Sequence, residues 1–97
     1  MIGFKQEDGK LTCSFLNNMT TEACASCEDE LFKKIREVKL PVAFDLSKVD
    51  YIASMFLSVC LSVMKEPGVG DFTLVNVRPN VKKVFKIAGL DNLITIM

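Results

Sequence analysis

Two short apolar runs, Pro41 to Leu46 (PVAFDL) and Phe72 to Val77 (FTLVNV), flank a longer segment of helical character. Compact runs of this length suit strands buried in a sheet. A strand–helix–strand order leaves few choices. The strands must be parallel, and the crossover between them right-handed.

The remaining punctuation fills in the order. Ile2 to Gln6 and Lys10 to Asn17 are apolar-rich runs separated by Glu7-Asp8-Gly9, and Asp-Gly between such runs signals a hairpin turn. In the second run Leu11, Cys13, Phe15 and Asn17 share one face. A helix comes next. Thr20 or Thr21 can cap it, and Ala23, Cys27, Leu31, Ile35 and Val38 recur at helical spacing with Cys24 and Phe32 beside them. Acidic residues come early and basic ones late, which suits the helix dipole. Pro41 closes that region.

Ser47 to Ala53 reads as a connection and Ser54 to Glu66 as a second helix, apolar almost all round. Pro67-Gly68-Val69-Gly70 is a loop, too short to cradle a phosphate. Pro79 opens a third helix with the stripe Val81, Val84, Phe85 and Ala88. Gly89 stands where a left-handed cap is needed. Leu93 to Met97 is a short apolar end of strand or helix type. The expectation is one α/β domain spanning residues 1–97. Its mixed sheet has an N-terminal antiparallel hairpin and parallel strands, with helices packed mainly on one side.

Composition narrows the function classes. Twelve basic residues balance twelve acidic ones, so nothing electrostatic favours nucleic acid or an anionic membrane as partner. Histidine is absent, which removes the commonest general base and metal ligand. The expectation is a non-enzymatic protein without metal or cofactor. The longest uncharged stretch, Tyr51 to Met64, is too short to span a bilayer, and no signal-peptide pattern is visible. A cytoplasmic protein with reduced thiols is expected.

Two motifs invite chemistry. Cys24-Ala25-Ser26-Cys27 has thioredoxin-like spacing but lies within helix turns, not directly after a strand, so packing is the simpler reading. Arg78, Lys82, Lys83 and Lys86 give the third helix a basic face, most simply a solvated one. Ser54, Ser58 and Ser62 fall on one side of the second helix.

The stretch from Phe44 to Ser54 (FDLSKVDYIAS) resembles the STAS signature: a strand ending in Asp-Leu-Ser, a short loop, and a serine opening a helix. Phe72 to Val77, then Val81, Val84, Ala88-Gly89-Leu90 and Leu93, resemble the second half of the same family. The resemblance implies the STAS fold and an anti-sigma factor antagonist type of function. In such proteins the serine matching Ser54 is phosphorylated by a partner that is both anti-sigma factor and kinase, of the histidine-kinase-like ATPase type. Phosphorylation ends binding and a phosphatase restores it. Ser54, Met55, Phe56 and Ser58 are then the expected partner surface, beside an α/β core that neither binds nucleic acid directly nor inserts into a membrane. The family often has aspartate where Ala53 stands, and small residues and glycine where Met55 and Phe56 stand. These departures favour a second class, a structural STAS subunit of a transporter or signalling assembly. The Cys-x-x-Cys alone favours a third, a thiol redox protein.

Overall fold

A computed structural model describes residues 2–66 and 71–97. The loop expected at Pro67 to Gly70 therefore lies outside the described residues. In chain order the elements are β1 (Ile2–Glu7), β2 (Lys10–Phe15), α1 (Thr21–Val38), β3 (Val42–Asp45), α2 (Ser54–Met64), β4 (Phe72–Val75), α3 (Pro79–Ile87), a 3-10 turn (Leu90–Asn92) and β5 (Thr95–Ile96).

The five strands lie side by side in sequence order. β1 and β2 are antiparallel, and every later pairing is parallel. Asp8 (φ 55°) and Gly9 (φ 72°) both have positive φ, as a two-residue type I′ hairpin turn requires.

Strand register fixes which face is covered. Leu11 pairs with Val42 and Val42 with Phe72; Cys13 pairs with Phe44 and Phe44 with Leu74. All six of those residues are buried, under Leu31, Ile35, Phe56, Val63, Val81 and Phe85 from the helices. On the opposite face Thr12, Ser14, Asp45, Thr73 and Val75 remain half-buried. Ala43 is buried there because its register neighbours Thr12 and Thr73 flank it on the central strand. The crossovers step steadily in one direction. Right-handed connections of that kind carry every helix to the same side, in agreement with the sequence pattern.

At the centre of the covered face the rings of Phe15, Phe44, Phe56 and Phe72 meet. Phe44 lies 4.7 Å from Phe15 and 4.8 Å from Phe72 between centroids, edge-on to both. Phe56 sits 5.2 Å from Phe15 in the same manner. Edge-to-face packing of this kind adds to simple burial.

Several boundaries shift for local reasons. α1 ends at Val38, and its C-cap Lys39 takes the left-handed conformation (φ 51°) and donates its N–H to the Ile35 carbonyl, so the helix has closed before Pro41 arrives. β2 ends at Phe15, leaving Asn17 beyond the strand whose face it was expected to share. β4 ends at Val75 because Asn76 turns to φ 55°. α2 closes at Met64, not Glu66, with Lys65 as its C-cap. Gly89 does adopt the expected left-handed conformation (φ 77°). The chain end is a strand: β5 adds two residues beside β4.

Candidate functional site

The segment between β3 and α2 lies at the C-terminal ends of three parallel strands, where ligands and partners of open α/β sheets gather. Its path is set by long-range hydrogen bonds. Asp45 ends β3, and its carboxylate accepts from the Ser47 amide at 3.0 Å and from the Asn76 side chain at 3.3 Å. Partial burial works against the Asp45 charge. The Ser47 and Asn76 donors outweigh it and hold the carboxyl below its ordinary value. Leu46 and Val49 are fully buried and pin the segment from beneath.

Two neighbouring loops grip the stretch from Ser47 to Ala53. From the β2–α1 loop, Asn18 Oδ1 accepts from the Asp50 amide at 2.7 Å and the Tyr51 amide at 3.2 Å. Met19 donates to the Tyr51 carbonyl at 3.0 Å and accepts from Ala53 at 2.8 Å. From the β4–α3 side, the Arg78 guanidinium donates twice to the Ser47 carbonyl, at 3.1 and 2.8 Å, and pairs with the Asp50 carboxylate. Asn80 donates to the Asp50 carbonyl. The chain therefore enters α2 in a fixed direction.

Ala53 is the N-cap of α2 and supplies no side-chain hydrogen bond; no acidic residue stands in the first turn. Ser54 is thus the first helical residue, not the cap, and it is exposed. Ser58 and Ser62 are exposed on the same face, while Met55 is half-buried. Phe56 departs from expectation. It is fully buried against Phe15 and Phe44, because in the first turn it lies on the side of the helix facing the sheet. It belongs to the core, not to a partner surface.

The chain matches the STAS domain model over residues 4–97. It is 31% identical over 84 residues to the protein named "Putative anti-sigma factor antagonist BtrV" of Bordetella bronchiseptica, covering 84% of this chain and 72% of that one. The chain belongs to the STAS domain family. Among solved structures it resembles an anti-sigma factor antagonist from Mycobacterium paratuberculosis, with a TM-score of 0.83 at 18% identity over 99% of this chain and 83% of the other. It also resembles the anti-sigma factor antagonist SpoIIAA in unphosphorylated form, with a TM-score of 0.79 at 14% identity over 100% and 88%. Phosphorylated SpoIIAA gives 0.71 at the same identity, over 100% and 91%.

Within this STAS domain the other candidate residues sit apart from Ser54. Cys24 and Cys27 face the core from α1, and all four thiols are free and buried. Burial pushes Cys13 up to about 12 and Cys24 up to about 11, and raises Cys27 and Cys60 too. The thiolate that disulfide exchange needs is therefore disfavoured. Among the described residues no group of three or more His, Cys, Asp or Glu is placed to hold a metal ion. No helix among them is long and apolar enough to cross a membrane.

Arg78 parts from the basic face it shares in sequence. Lys82, Lys83 and Lys86 are exposed on α3, but Arg78 is the helix N-cap and turns to Ser47 and Asp50. Sequence reasoning misses the clamp of Asn18, Arg78 and Asn80, because each partner lies far away along the chain. The one local signal is the presence of polar residues at or near two helix starts.

Proposed function

We propose that this chain is a regulatory protein-binding module of the anti-sigma factor antagonist type, switched by phosphorylation of Ser54. The observation that carries this reading is the exposed Ser54 at the head of a helix that lacks both a capping side chain and an acidic residue in its first turn. Unpaired amides and the positive end of the dipole accommodate a phosphate there. The family membership and the likeness to BtrV, named as an anti-sigma factor antagonist, give the reading its partner class, an anti-sigma factor.

The partner acts as the enzyme and this chain as its substrate. A kinase of the histidine-kinase-like ATPase type transfers the γ-phosphoryl group of ATP to Ser54 Oγ. The bond to ADP breaks, and the hydroxyl proton passes to a base on the kinase. The added charge of nearly two units lies beside Met55 and Ser58. A partner packed on that surface must then desolvate a dianion, so binding ends. The chain works in the cytoplasm, where ATP and such a kinase are found.

A second reading, a constitutive STAS subunit of a larger assembly, is favoured by Phe56. Where the family often has small residues, this chain has a ring locked into the core. One experiment separates the two. Mixed with a histidine-kinase-like ATPase partner and Mg-ATP, the chain should gain one phosphate by intact mass, and Ser54→Ala should gain none while still binding. Ser54→Asp should bind more weakly, partially so because a carboxylate copies a phosphate poorly. A partner that binds firmly yet leaves the mass unchanged decides for the structural subunit.

A further inference from the structure

Among the described residues the exposed large apolar side chains form two groups. Val84, Ile87, Leu93 and Met97 belong to α3 and the chain end, and nothing in the structure shows what covers them. Leu16 and Tyr51 belong to the two loops that meet just before Ser54, and are 53% and 54% exposed. Tyr51 is the only tyrosine, in a chain without tryptophan. An aromatic ring left half in water is informative when its backbone is as firmly held as this one.

The Tyr51 amide donates to Asn18, its carbonyl accepts from Met19, and Asp50 before it is fastened by Asn18, Asn80 and Arg78. A ring on an ordered backbone has only two side-chain torsions left to lose, so burying it against a partner costs little entropy. The same loops and the adjoining helix start carry the polar groups Asn17, Asp50, Arg78 and Ser54. An aromatic anchor ringed by polar residues is the usual make-up of an interface hot spot.

We propose that Tyr51 is the apolar anchor by which the Ser54 surface holds its protein partner, with Asn18 and Arg78 as positioning residues that present it. The inference deepens the partner-switching reading and rests on it. Its occupant is the kinase-type partner of Ser54, offering an apolar pocket with a polar rim. Arg78 already bonds Ser47 and Asp50, so its charge is committed to the clamp. A phosphate three residues from the ring would place its charge at the rim of that pocket, which couples the modification to release.

The test is binding kinetics of wild type and variants against the same histidine-kinase-like ATPase, alongside amide exchange of the free chain. Tyr51→Ala should weaken binding on the order of tenfold or more through faster dissociation, with an unchanged melting temperature. Tyr51→Phe should retain most of the affinity. Arg78→Ala should weaken binding and speed exchange of the Asp50 and Tyr51 amides, and Arg78→Lys should recover part of both. Asn18→Ala should repeat the Arg78→Ala pattern. If wild type binds and is phosphorylated while Tyr51→Ala binds within about twofold of it, the anchor is overturned and partner switching stands. Faster exchange in Arg78→Ala with unaltered binding overturns the positioning role. A wild-type chain that neither binds nor is phosphorylated removes the partner-switching reading, and the anchor with it.

Discussion

The heads of α1 and α2 are built in opposite ways. At α1 the Thr20 hydroxyl accepts the Ala23 amide at 3.1 Å, and Glu22 stands in the first turn against the dipole. At α2 the cap is Ala53, with neither a capping oxygen nor an acid. The first helix has its Ala23 amide and its dipole answered by its own side chains. The second answers its Phe56 amide only through the Ala53 carbonyl, at 2.9 Å, offers no side chain to the Ser54 and Met55 amides or to the dipole, and takes its order from outside, through Asn18, Met19 and the Arg78 clamp. Stability at α1 is local, whereas at α2 it is borrowed from neighbouring loops. That arrangement leaves the α2 head exposed without leaving it loose.

The strongest way to break this comparison is through Phe56. If α2 is held by packing beneath its first turn, Phe56→Ala should cost about 3–5 kcal/mol, read by chemical denaturation. A loss under about 1 kcal/mol would mean that the ring is not a keystone of the core. A paired exchange at the caps is milder. Thr20→Ala should cost about 1 kcal/mol, while Ala53→Ser should gain a few tenths to about 1 kcal/mol by supplying the missing oxygen. Thermal melts showing both changes to be neutral would erase the distinction between the two heads. The smallest effect is expected at Cys24 and Cys27. A neutral-pH disulfide reagent should leave the native thiols nearly untouched and should titrate all four after denaturation. Rapid native reaction at Cys24 or Cys27 would make the α1 head a chemical site after all.

Much of the frame is legible in the residues because its causes are local. Asp8-Gly9 specifies its turn by the φ values it tolerates, Pro79 opens α3, and Gly89 takes the left-handed cap. The β2 alternation of Leu11, Cys13 and Phe15 marks the buried face correctly. Ser54 is legible as a helix start, but its standing as first helical residue rather than cap depends on how Met19 holds Ala53. The family resemblance misplaces Phe56 on the partner surface, where its apolar character alone reads most simply as core; α2 is apolar on nearly every side, and the Phe15 and Phe44 rings decide its inner face. Sequence pattern misplaces Arg78 because that residue precedes a lysine-rich helix, and only the fold brings it to Ser47 and Asp50.

The unbroken strand order, β1 through β5, bears on how the chain is made. Each strand pairs only with those just before and after it, so no strand must wait for a distant part of the sequence to complete its row. Material leaving a ribosome extends the sheet one unit at a time, with the hairpin first and each later strand arriving after the helix of its own crossover. The two-residue β5 comes last. Until it docks, the Leu74 carbonyl that accepts the Met97 amide lacks that partner, and β4 remains the growing edge. Truncation by a few residues at the C-terminus would thus arrest assembly at its final step, with the hairpin and the Ser54 loop already laid down.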